Sequence, residues 1–214
     1  MAVDSDEEEE EEETDEDGMD QELPSLAAKI NCFQIPHEEL SRAKGDRKRV
    51  QHISKFAKSL FEKYQVVLAM DIDEFLVLDP DQNKSLLTYL SQDFKVHSLS
   101  ALGLDVGQHP TLELPIDLSK SFLSQRSYAQ VSDRYTKPVV ALKPLNWGSG
   151  FHRVKGKNFT IDSHLFLFHF GLVDLDHATQ STQNEQLLSS GWEGHFKRRH
   201  QLYEALKSQS ARDG

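Results

Sequence analysis

The sequence predicts an α/β fold in which helices flank a mostly parallel, Rossmann-like sheet. Short, wholly apolar runs such as VVLAM at 66–70 and VVAL at 139–142 have the pattern of strands buried on both faces. Between them lie stretches whose apolar residues recur at three- and four-residue steps, the period of a helix with one buried face. Strand and helix patterns alternate along the chain, which argues for a layered sheet over an all-helical or all-β domain.

Taken in order, the chain opens on an acidic tail. Residues 1–22 carry 14 of the 35 Asp and Glu residues and no Lys or Arg, with seven consecutive glutamates from Glu7 to Glu13. Such a segment repels itself and has little apolar surface to bury, so disorder is expected, as a solvating tail or as a docking arm for a basic protein partner. The rest of the chain holds 21 acids against 24 bases, so the net charge of −11 belongs to the tail. The body lacks the basic excess that nucleic-acid binding through overall charge needs. From residue 23 to 214 one domain is expected. AKINCFQI at 28–35 reads as a strand ended by Pro36, with Cys32 as a core residue, and a single cysteine excludes an internal disulfide framework.

Residues 44–64 read as a helix with Val50, Ile53, Phe56, Ala57, Leu60, Phe61 and Tyr64 on one face and Arg47, Lys48, Arg49, Lys55, Lys58 and Lys63 on the other. A strand at 65–71 follows, then a helix at 85–90. Asp79, Asp81 and Asn83 before it lack the glycine and terminal glutamate of a calcium loop and read as caps. Further strands are expected at 96–104, 138–144, 151–155 and 165–169, a short helix at 119–126, and a helical C-terminal stretch at 185–207. No apolar run approaches the roughly 18 residues of a membrane span, and no basic–apolar leader opens the chain. A cytoplasmic protein without a transmembrane segment is expected.

The strongest chemical signal is VVLAMDIDEFLVLDP at 66–80, where an apolar strand delivers Asp71, Asp73 and Glu74 to its carboxyl end. Open α/β sheets bind ligands at that edge. Carboxylates two residues apart on an extended chain project to one side, and a hard divalent cation such as Mg2+ or Mn2+ resolves their repulsion. That cation could bridge to phosphate oxygens and neutralise charge on a leaving diphosphate. The structural alternative is that Asp73 or Glu74 caps a turn or pairs with the basic helix.

MDIDEFLVLDP resembles the DxDEF segment of family 2-like glycosyltransferases of the GT-A fold, and the resemblance continues in WGSGFHRVK at 147–155 and LFLFHFGL at 165–172. It covers about residues 40–175. It implies a GT-A-like domain that transfers a sugar from a nucleotide-sugar donor to a carbohydrate or glycoconjugate acceptor. Asp71 and Asp73 match the positions that hold the metal and the donor diphosphate, and Glu74 adjoins them on the substrate side. A later histidine near the metal is implied, with His169 first and His152 second; a structural histidine fits either position equally. Arg47 and Arg49 loosely match an arginine-bearing helix that contacts donor phosphates, for which a solvated basic face is the alternative. Family members carry further strand–helix units before the acidic strand, so an N-terminally incomplete domain is expected.

Trp147 with Gly148, Ser149 and Gly150 reads either as a loop that closes on substrate, Trp147 stacking on a sugar, or as a plain turn. SYAQVSDRYTK at 127–137 has the polar and aromatic mix of an acceptor loop, with Asp133 as candidate base for the acceptor hydroxyl or as a partner of Arg134. The competing functions are a catalytically inactive remnant or binding protein that uses its acidic arm, and a haloacid-dehalogenase-type phosphatase. In the phosphatase, Asp71 would be the nucleophile and Asp174 with Asp176 the later acidic pair.

Overall fold

The computed structural model describes residues 42–156, 160–171, 173–189 and 191–209. The acidic tail, the strand expected at 28–35 and Cys32 lie outside these residues. Helix α1 (Arg42–Leu60) covers most of the expected 44–64 stretch but stops at Leu60, leaving Phe61 and Tyr64 beyond it. Val50 and Ala57 are buried, with Ile53 and Leu60 packed beside them, against Leu145, Trp147 and Phe151. Phe56, assigned to the same face, is instead 45% exposed.

The strands are β1 (Val67–Leu68), β2 (Glu74–Leu78), β3 (Ser98–Val106), β4 (Ala129–Val131), β5 (Lys137–Ala141) and β6 (Ile161–His169). They form one mixed sheet in the order β1–β5–β3–β6–β2, with β4 pairing β3. The expectation of a mostly parallel sheet is corrected: β3 with β6 is the one parallel pair among the described residues, and the other pairings are antiparallel. A wholly apolar run reports burial on both faces, which a central antiparallel strand meets equally well. So β5 is buried at every residue while running antiparallel to both neighbours. The 65–71 run is likewise corrected, to a two-residue strand at the sheet's edge with Leu68 half-exposed.

The two edges of this sheet curl toward each other. The backbone turn in which Glu74 N–H donates to the Asp71 carbonyl brings its ends within about 7 Å. The strands it joins, β1 and β2, lie at opposite ends of the five-strand path, about 19 Å apart if flat. The sheet therefore curls until the Asp71–Glu74 turn bridges its mouth. Along the outer edge of β3, β4 and β5 act as two halves of one partner, interrupted by a turn at Ser132–Thr136. That turn crosses Gly103 so closely that a Cβ there would stand 2.2 Å from the Tyr135 carbonyl carbon.

Helices α2 (Leu86–Leu90), α3 (Leu175–Thr182), α4 (Glu185–Ser189) and α5 (Glu193–Lys207) complete the fold. Ser85 caps α2, its hydroxyl accepting from Thr88 N–H, and Asp79 caps the short turn before it by accepting from Asp81 N–H. Tyr89 and Leu90 join Leu99, Val139, Val140, Leu165 and Leu167 in the core between α2 and the sheet. The expected 185–207 helix divides at Gly191, whose φ of 89° ends α4 and starts the turn into α5. The 151–155 strand reduces to a single bridge between Trp147 and Val154, and the 119–126 helix to a 3-10 turn at Phe122–Gln125.

Candidate functional site

Strand register assembles the site. Asp105 on β3, His169 on β6 and Glu74 on β2 are Cα partners in one row across three neighbouring strands. Phe170 N–H donates to the Asp73 carbonyl at 2.8 Å and extends that row into the turn. The acidic turn of one edge is thereby fixed beside the ends of β3 and β6.

Lys137, the first residue of β5, is 1% exposed and reaches under the turn. Its ammonium stands 2.6 Å from Glu74 Oε1 and 3.1 Å from Asp71 Oδ2. Glu74 Oε2 accepts from Asp71 N–H at 3.0 Å. The Glu74 side chain has no exposed surface and does not line the pocket described below, so the substrate contact assigned to it is corrected to an anchor for the turn. Asp71 Oδ1 faces Arg49 at 3.3 Å, and Arg49 also pairs with Asp46. Asp71 and Asp73 occupy a turn, not an extended chain; Asp71 faces Lys137 and Arg49, and Asp73 faces an imidazole.

The partner of Asp73 is His169, whose Nε2 lies 3.4 Å from Asp73 Oδ2. On the far side of the ring, Nδ1 stands 2.8 Å from Asp105 Oδ1, and Asp105 is held in turn by Arg199 of α5. Burial pushes the His169 pKa down, but its hydrogen bonds to Asp105 and Asp73 outweigh burial and the net direction is up. The same hydrogen bond from His169 holds the Asp73 carboxyl below its usual range against its partial burial.

These groups open on a pocket of about 540 Å³ lined by Asp71, Asp73, Arg49, Lys137, Arg134, Arg198, His152, His169 and His195, with Trp192 and the wholly exposed Ile72 at its lip. Gly150 lines it too, at φ 65°, its N–H donating to Asp46. His152 lines the pocket from above Gly150. Its Nδ1 is 2.7 Å from the Arg134 carbonyl, which can only accept, so Nδ1 carries the proton and Nε2 the lone pair; burial lowers its pKa. An adjoining pocket of about 450 Å³ shares Arg134 and His152 and contains Asp133.

Two expectations are corrected here. Arg47 is exposed and lines neither pocket. Trp147 is 3% exposed, its indole N–H donating to the Pro138 carbonyl at 3.0 Å and its backbone N–H to Ser54, so no face is open to a sugar. Trp147→Phe is expected to lower stability by about 1–3 kcal/mol, because the buried Pro138 carbonyl loses its donor, and to leave ligand affinity unchanged. Denaturant midpoints and a ligand titration on one sample check both halves. Sequence reasoning missed Lys137, Asp105, Arg134, Arg198 and Arg199. The available signal for Lys137 was a lysine heading an otherwise apolar run.

Among the described residues no three His, Cys, Asp or Glu side chains form a ready ligand group. Asp73 and His169 Nε2 offer one carboxylate and one imidazole at the pocket mouth, with Asp71 behind. Asp71 is engaged by Lys137 and Arg49 and Asp73 by His169, so these side chains are not a ready cage for an ion. No family model, curated protein or solved structure matches the chain.

Proposed function

We propose that the chain is a metal-dependent glycosyltransferase domain of GT-A type, with the Asp71–Asp73 turn at the donor diphosphate. The observation that carries this reading is the charge arrangement of one pocket. Two carboxylates share a tight turn at the mouth of a curled α/β sheet, and Arg49, Arg134, Arg198 and Lys137 surround them. Arginines in excess of carboxylates suit a ligand that is itself anionic and binds through paired hydrogen bonds. When bound, a divalent ion supplies neutralisation of the charge that develops on the leaving diphosphate. The protein's own part is to hold Asp73 and His169 toward that ion and to present Arg134 and Arg198 to the phosphates. The adjoining pocket suits the acceptor, and Asp133 there is the group to take the hydroxyl proton.

The phosphatase reading loses its later acidic pair. Asp174 caps α3, accepting from Asp176 N–H and from Ile116 N–H, and neither acid lines the pocket.

Calorimetric titration of the chain with Mn2+ and with UDP, GDP and CDP tests the proposal. Binding of one nucleotide that requires Mn2+ is expected. Nucleotide binding indifferent to Mn2+, or none at all, overturns it.

A further inference from the structure

We infer that the second pocket, bounded by Asp133, Arg134, Gly148, His152 and Arg153, is an oxyanion site that takes a phosphate monoester or a carboxylate. The inference deepens the transferase reading above and rests on it for one point, that the molecule bound there is the acceptor.

Two short segments with hydrogen-bonded backbones build this pocket. In the turn at 132–136, Ser132 N–H donates to the Gly103 carbonyl at 2.9 Å and Thr136 N–H to the Ser132 carbonyl at 3.0 Å. In the segment at 146–155, Gly148 N–H donates to the Arg153 carbonyl at 2.8 Å and Lys155 N–H to the Asn146 carbonyl at 3.0 Å. His152 ties the second segment to the first through the Arg134 carbonyl, 2.7 Å from its Nδ1. Gly150 and Phe151 both have positive φ, 65° and 58°, the latter in a region that bulky residues rarely enter. That reversal buries the Phe151 ring edge-on to Trp147 and leaves the next two residues, His152 and Arg153, on the pocket wall.

The charges on this wall are not internally matched. Arg49, Arg126 and Arg199 each pair with an aspartate. Arg134 and Arg153 do not. Among the described residues neither guanidinium has an ion pair or a hydrogen bond, and Asp133 pairs with neither although it adjoins Arg134 in sequence. The carbonyls of both arginines are tied down while their guanidiniums have no acceptor, so the donors are placed and left for a ligand. Burial holds the His152 pKa down, so the side chains sum to two guanidiniums against one carboxylate. Among the described residues no Phe, Tyr, Trp or aliphatic side chain lines this pocket, so a neutral sugar finds no face to stack on. An oxyanion that accepts paired N–H bonds is the ligand such a wall recognises. Asp133, unpaired beside it, can accept from a hydroxyl of the same molecule.

Site-resolved proton–nitrogen NMR titrations of the full chain with glucose, glucuronate and glucose 6-phosphate test the inference, since the three probes differ at a single carbon. The two charged probes are expected to shift the backbone signals of His152 and Arg153 and to bind roughly tenfold more tightly than glucose. The tighter of the two identifies the oxyanion. Arg153→Gln is expected to weaken both by about tenfold, the loss of one charge-assisted contact. It should fold as wild type does, because the Arg153 side chain is exposed and has no partner among the described residues. Asp133→Asn is expected to strengthen the charged probes by about two- to fivefold, because a like charge is removed from an exposed site. Glucose bound as well as the charged probes, an Arg153→Gln variant that binds them undiminished, or weaker binding in Asp133→Asn overturns the inference. Mn2+-dependent nucleotide binding without capture of either charged probe also overturns it, and leaves the transferase reading standing. Capture that depends on Arg153 in a chain that binds no nucleotide overturns the transferase reading and leaves the oxyanion site in place.

Discussion

Lys137→Met is expected to destabilise the protein by about 3–5 kcal/mol, the loss typical of breaking a buried ion pair on one side. The reason lies with the partner left behind. Glu74 has no exposed side-chain surface, and among the described residues no N–H addresses its Oε1 in good hydrogen-bond geometry; the ammonium at 2.6 Å is the charge that offsets it. Methionine matches the length of the lysine stem but leaves that carboxylate buried and uncompensated. Asp71 contributes less to the loss, since it is partly exposed and retains Arg49. Adding Glu74→Gln to Lys137→Met is therefore expected to recover more than half of the lost stability, because a neutral amide still accepts from Asp71 N–H and no longer needs a cation. Urea midpoints of wild type, Lys137→Met and the double variant decide it. A loss below about 1 kcal/mol in the single variant would mean that water reaches Glu74 when the lysine is gone.

Local pattern was legible in this sequence and long-range register was not. The period of Val50, Ile53, Ala57 and Leu60 located α1, and apolar runs located β5 and the buried half of β6. Neither kind of signal carries strand direction. A run such as VVAL reports only that both faces are covered, and a neighbour running either way covers them. The acidic cluster was legible because its residues are adjacent, but they lie in a turn that leads into β2 and not at the carboxyl end of an extended strand. What gives each residue there its role comes from far along the chain. Asp71 meets Lys137 across 66 positions, His169 meets Asp105 across 64, and Asp105 meets Arg199 across 94. Glu74 reads as a third acid of the motif until Lys137 is placed beneath it. Trp147 reads as a sugar platform until Pro138 takes its indole N–H.

The two aspartates of the turn are expected to separate in a paired substitution. Asp73→Asn should weaken Mn2+-dependent nucleotide binding by about a hundredfold, the order of a lost charged contact, while the melting temperature stays near that of wild type. Asp73 is 41% exposed in its side chain, and its partner, His169, keeps Asp105 as a second contact. Asp71→Asn should weaken binding and lower the melting temperature together, because the buried Lys137 ammonium then has one carboxylate where it had two. Two acids that acted only by lowering the pocket's charge would give equal changes in affinity and none in stability. Two acids that only held the turn together would lower stability in both variants and leave the Mn2+ dependence alone. A threefold or smaller change in Asp73→Asn removes that carboxylate as a ligand. The ion would then have to sit on Asp71, in competition with Lys137 and Arg49, a position where two cations already oppose it.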